Sequence, residues 1–259
     1  MTSPELLNGI RKVLNETKQD KVCRTLCRKR GYSVHIPYLG SSTNPAYFFL
    51  GASPAGYDIA ESPANAQEYI DWATEYFNDD RHDRASFQPY LPFTSNTIGD
   101  YQVFGANCTV AHMVPIVTPK TSDVTAPLIR NCWPRTRLMI EAIRPKLILC
   151  HGSATWKFLA GLEEGDEQQF SELPDYLRLP IAEIYEKVDA DKIAFQSSWL
   201  GMESDYRPWV VPLAHLAGAT AGKESRKKAE LAVAKARRAQ TSPEGVVVSG
   251  ARIRVRKAT

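Results

Sequence analysis

The chain has no apolar run that approaches the about 18 residues needed to carry a helix across a bilayer, so no membrane partner is expected. Its first twenty residues, MTSPELLNGIRKVLNETKQD, lack the apolar stretch of a secretory leader. Cysteine is sparse and odd in number, five in 259 residues, which is no disulfide framework and fits a reducing cytoplasm. No glycine-rich phosphate cradle of the Walker or dinucleotide type is present. The Gly-x-Ser-x-Gly elbow is missing too, so Ser153 in His-Gly-Ser-Ala-Thr does not read as a hydrolase nucleophile, and His151 reads as a polar residue at a strand tip.

What is present is an ordinary globular composition, 43% hydrophobic and 24% charged, long enough for a sizeable core. The charge is unevenly placed. Residues 222–259 hold eleven Lys or Arg against Glu224, Glu230 and Glu244, a balance of +8, which leaves −5 for residues 1–221 out of a net +3. We therefore expect a body at 1–221 and a basic C-terminal helix and tail at 222–259. The tail suits a polyanion, and DNA is the expected partner. Its end alternates Arg252, Arg254 and Arg256 with Ile253 and Val255, which on a strand puts three guanidiniums on one face toward phosphates. The bland alternative is a solubilising appendage. Nothing in the sequence calls for an obligate protein partner.

Along the body, helices are expected over 4–30. Tyr47–Leu50 reads as a strand buried on both faces, followed by a loop stripped of bulk, Gly51-Ala-Ser-Pro-Ala-Gly56. A helix at 65–77, a second buried strand within 101–117 and a helix at about 134–143 come next. Lys146–Cys150 reads as a strand that turns into another helix. Residues 162–200 read as acidic insertion loops with one short helix, and 209–219 as a last strand. Strands alternating with helices imply an α/β class with a largely parallel central sheet. Ligands of such sheets bind outside the carboxyl ends of the strands, where Ser53, Asn107, His151 and His215 are expected.

This order of elements resembles the uracil-DNA glycosylase superfamily, especially its iron–sulfur-containing branches. The resemblance rests on Gly-x-Ser-Pro at 51–54, Asn107, the block CWPRTRLMIEAIRPKLILCHGSATWKFL from Cys132 to Leu159, and Ala-His-Leu at 214–216. It implies a three-layer α/β/α fold and a glycosylase that flips its target base into a pocket. By the same resemblance His215 donates to the leaving base, Asn107 reads the base edge and Leu216 wedges into the duplex. From the residues alone, His215 could instead be a hydrogen-bonded strand-end residue, and Asn107 a turn cap. The family's usual Asp and Tyr in this loop are replaced by Ser53 and Ala55. Ser53 is no carboxylate base, so water activation must come from backbone carbonyls or another acid, with Asp58 and Glu61 the nearest candidates; both also suit a helix start. Ala55 leaves room for a 5-substituted pyrimidine, such as a modified cytosine of phage DNA. Phe93 or Tyr57 would stack on the base.

The implied activity is a monofunctional DNA glycosylase, since no lysine nucleophile lies in these motifs. An ordinary uracil-DNA glycosylase and an inactive DNA-binding or sensor protein are the alternatives; repair and phage defence both remain open. The chemistry needs no cofactor. A structural iron–sulfur cluster is implied by the branch, with Cys23, Cys27 and Cys132 as ligands, although Cys23 and Cys27 are one residue further apart than the family spacing.

Overall fold

The structure is a computed structural model that describes residues 4–30, 45–53, 65, 67–68, 71, 108–116, 118, 123–163, 168–203, 205–214 and 222–241. Two helices, α1 (Pro4–Gln19) and α2 (Lys21–Arg30), precede β1 (Tyr47–Gly51) and β2 (Cys108–His112). Then follow α3 (Ala126–Ile143), β3 (Leu147–His151), α4 (Ser153–Leu159), α5 (Ile181–Lys187), α6 (Ala190–Ile193), β4 (Phe195–Gln196), β5 (Trp209–Leu213) and α7 (Lys223–Thr241). The strands form one five-stranded sheet in the order β2-β1-β3-β5-β4. Only β4 runs antiparallel, pairing Phe195 with Val210 and Gln196 with Trp209. The expected α/β class with a mostly parallel sheet is observed.

The central strands are apolar on both faces because helices cover both. Phe48, Leu50 and Leu147 to Cys150 are fully buried. β5 contains Pro212, which donates nothing to a ladder. The residue sits beyond the end of β4, and its carbonyl accepts from the Tyr185 hydroxyl at 2.9 Å.

The helix before β3 is longer than its sequence suggests. Thr125 caps it by accepting from the Leu128 N–H, Pro127 sits in the first turn, and Pro134 lies inside the helix rather than opening it. Its register is fixed from outside. The Thr136 hydroxyl reaches the His112 and Met113 carbonyls at 2.8 and 3.1 Å, tying α3 to the end of β2. α1 lies against α3 closely enough that a β-carbon at Gly9 would come within 3.3 Å of Ala142 Cβ.

Residues 168–203 differ from the expected insertion loops. They bring Phe170, Leu177, Ile184, Ile193 and Trp199 into the core. Phe170 meets Trp199 edge-on at 5.2 Å and Phe195 at 5.3 Å, and stacks near Trp156 at 5.9 Å. Acidic residues mask these aromatics in the sequence, since alternating solvent-facing charges leave no long apolar run.

The basic helix α7 is docked on the body. Ala229, Ala232, Val233 and Ala236, spaced for one helical face, are buried, while Leu231 is exposed. Small side chains let the helix lie close to its support. Lys228 donates to the Tyr185 and Val188 carbonyls, Lys235 to Asp191 O, and the Arg237 guanidinium lies 4.9 Å from the Tyr47 ring centre. Part of the positive charge read as DNA-facing is thus spent on holding α7. Arg252, Arg254 and Arg256 lie outside the described residues.

Candidate functional site

β1 has β2 on one side and β3 on the other, so the chain reverses its direction of winding between them. That makes the carboxyl ends of β1 and β3 the switch point of the sheet, where open α/β folds bind ligands. β1 leaves this edge through Gly51, Ala52 and Ser53. The exit is pinned by backbone bonds of 2.9 Å from Met113 N–H to Gly51 O and from Val114 N–H to Ala52 O. Ser53 Oγ shares a 2.7 Å hydrogen bond with Thr118 Oγ1, and Thr118 is buried.

The register explains why the strand ends in glycine. Gly51 lies opposite His112, and a β-carbon there would sit 3.0 Å from His112 Cδ2 and 3.8 Å from His151 Nδ1. The His112 ring crowds the space that a side chain would need, and His151 lies at ordinary contact distance. On the other side, Gly152, at a φ of 89° that suits glycine, donates its N–H to Leu213 O at 2.9 Å. This bond ties the exits of β3 and β5 together.

Of the expected site residues, Ser53 and His151 stand at this edge. Asn107 immediately precedes β2, so the strand's described part begins after it and carries His112 to the carboxyl end instead. His112 is the residue that sequence reasoning missed. Its signal was Pro115, three residues on, which marks the end of the strand later than Asn107 does. His215 follows Leu213, the last residue of β5, by two positions. Asn107, His215, Leu216, Ala55, Tyr57, Asp58, Glu61 and Phe93 all lie outside the described residues.

The chain matches no family model. No curated protein matches it either.

A second polar cluster sits away from the strand ends, where α2 meets α3. Cys23 and Cys132 Sγ are 3.7 Å apart, and Arg135 Nη2 lies 3.6 Å from the first and 3.7 Å from the second. The same guanidinium donates to Asn131 Oδ1 at 2.8 Å and faces Asp20 at 3.4 Å. Asp20 in turn accepts from the Cys23 N–H at 2.8 Å. The hydrogen bond between the thiols, together with burial, pushes Cys23 up. That bond pulls Cys132 down against burial, aided by Arg135.

An iron–sulfur cluster would need its sulfurs turned to a shared metal centre. Here two of the three expected ligands are turned to each other and to a cation. The third, Cys27, is half-buried, and burial comes first among the influences raising its pKa. Among the described residues, no group of three or more His, Cys, Asp or Glu is placed to hold a metal ion. The iron–sulfur cluster on Cys23, Cys27 and Cys132 therefore stands as a proposal.

Proposed function

We propose that the protein is a monofunctional DNA glycosylase that extrudes a modified pyrimidine and hydrolyses its N-glycosidic bond. One observation carries the reading: the chain leaves β1 at the switch point without bulk, through Gly51, Ala52 and Ser53, an exit held by two backbone hydrogen bonds and the Ser53–Thr118 hydroxyl pair. A flipped nucleotide needs such an opening, and the resemblance in residues 51–54, 132–159 and 214–216 supplies the chemistry. In that reading the C–N bond breaks first, leaving an oxocarbenium-like sugar and an anionic base. His215 donates to that base. Asp58 activates the water, and Ala55 leaves space at carbon 5 of the pyrimidine. Leu216 fills the gap in the duplex, and DNA is the partner, in a cytoplasmic setting.

The hydroxyl pair of Ser53 and Thr118 favours a second reading, a DNA-binding protein of the same fold without catalysis. A serine bonded to a threonine offers the water no base. Mass spectrometry of free bases released from a panel of natural and modified DNAs separates the two. Release of a 5-substituted pyrimidine is the expected result. Release of uracil alone would make the protein an ordinary uracil-DNA glycosylase, and release of nothing while DNA is bound would leave the second reading.

A further inference from the structure

The excision chemistry leaves one charged face of the molecule without a role. Residues 1–30 hold eight Lys or Arg against Glu5, Glu16 and Asp20, a balance of +5; residues 1–221 sum to −5, so residues 31–221 sum to −10. Within this basic segment α2, KVCRTLCRKR, has five basic residues and no acid. Cys23, Leu26 and Cys27 turn one side of α2 to the core. Lys21, Arg24 and Arg28, at i, i+3 and i+7, share the opposite, exposed side. Among the described residues none of these three cations has an ion-pair partner. Asp20, the adjoining acid, is already taken: it faces Arg135 at 3.4 Å and accepts from the Cys23 N–H at 2.8 Å.

The helix also stands at the end of the molecule that carries the switch point. Thr136 of α3 bonds the His112 and Met113 carbonyls, at and just past the carboxyl end of β2. Because α3 feeds the start of β3, its earlier turns lie toward and beyond that edge. Those turns, through Asn131, Cys132 and Arg135, hold the start of α2 at Asp20 and Cys23.

We propose that the exposed face of α2 is a docking surface for the phosphate backbone of DNA, held by Lys21, Arg24 and Arg28. The surface rests on DNA being the partner and stands whether or not a base is excised. Charge complementarity selects the occupant: an unpaired cationic face on an otherwise acidic body attracts a polyanion. The three residues span about 10 Å along the helix axis. Over that length each strand of a duplex presents about three phosphates. Guanidinium groups match phosphate oxygens in geometry as well as charge. A lipid surface fits less well, because a helix lying on a membrane binds through its apolar face, and that face of α2 is packed on the core. The cations of α7 differ, since Lys228 and Lys235 are bonded to carbonyls of the body. Backbone contacts fix position without reading sequence, so α2 would orient the DNA and leave base choice to the strand ends.

Affinity of the full-length protein for a fluorescent duplex oligodeoxynucleotide, measured by anisotropy across a salt series, tests this. Lys21→Gln, Arg24→Gln and Arg28→Gln combined should weaken binding about ten- to a hundredfold near 0.1 M salt. The slope of log affinity against log salt should fall by about 2 to 3, and by about 1 for Arg24→Gln alone. A control removes the same charge elsewhere: Lys157→Gln, Lys187→Gln and Lys192→Gln, from lysines paired with Glu163, Glu183 and Asp189, should leave the slope unchanged. Equal slopes for wild type and the α2 variants, or an equal loss in the control, overturn the proposal. So does a wild type that binds no DNA, or a combined variant that loses binding to phosphatidylserine vesicles and not to DNA. Arg24→Gln alone decides the matter where the combined variant fails to fold. Base release is no part of this measurement: α2-dependent binding without excision keeps the surface and ends the glycosylase reading, whereas equal slopes end the surface and leave excision open.

Discussion

The two polar clusters of this protein are built on opposite principles. At the seam of α2 and α3, Asp20, Cys23, Asn131, Cys132 and Arg135 bond to one another, and both thiols are fully buried. At the carboxyl edge of the sheet, His112, His151 and Ser53 are only partly buried and are positioned by strand register and backbone bonds. The first cluster spends most of its hydrogen-bonding capacity internally, Arg135 Nε being the exception. The second stands at the switch point of the sheet, the place where open α/β folds bind ligands. The lesson is that the cysteine-containing cluster joins two helices by its own bonds, while the histidines are set side by side by strand register.

The sharpest way to break this contrast is to remove the cation from the closed cluster. Arg135→Met should lower the free energy of unfolding by about 3 kcal/mol, because Asp20 is left without its countercharge and the thiols without their donor. Urea denaturation measures this. A loss under about 1 kcal/mol would mean that the seam is not the closed structural unit described here.

At the open edge, substitution should act on function and leave the fold alone. If the proposed chemistry holds, His215→Ala should slow base excision by about two to three orders of magnitude with little change in DNA affinity. A single-turnover assay beside a binding assay reports both. An unimpaired rate would take His215 out of the reaction.

Gly51→Ala links the two kinds of effect. The new methyl group meets the His112 ring, which must give way by a few tenths of an ångström, at a cost of about 1 kcal/mol. Thermal unfolding should detect that modest loss. A neutral or stabilising substitution would show that the ring moves freely, and that register alone does not fix the edge.

The smallest effect concerns acid. Burial tends to raise the Asp20 pKa, but bonds from Cys23 and Asn131 and the charge of Arg135 outweigh it and hold the carboxyl below its ordinary value. The folded pKa is the lower one. The carboxylate therefore stabilises the fold above the unfolded-state value of about 4, and that contribution is lost as pH falls through the folded value. Asp20→Asn should flatten this part of a melting-temperature profile against pH. A profile of unchanged slope below about pH 4 would remove Asp20 from the acid response.

Much of this contrast was hidden in the amino-acid order. Tyr47 to Leu50 announces a buried strand because both faces are apolar, and Leu147 to Cys150 does the same. Pattern and proline spacing located α3 but set its start eight residues late. The cap at Thr125 is a local signal, whereas Cys-Trp-Pro looks like a helix opening and lies inside the helix. Residues 168–203 defeated the reading for a different reason: their buried aromatics are single residues among charges, with no period to count.

The sequence by itself determined the α/β class, the strand cores and the bulk-free exit of β1, because each is written in a run of neighbouring residues. Tertiary structure decided which residues meet. Cys23 and Cys132 come together over a separation of 109 positions, and Gly51, His112 and His151 come together through the register of three strands. No local pattern specifies a register between strands so far apart in the chain. It is set by the fit of side chains between sheet and helices, and it exists only once the whole core has formed.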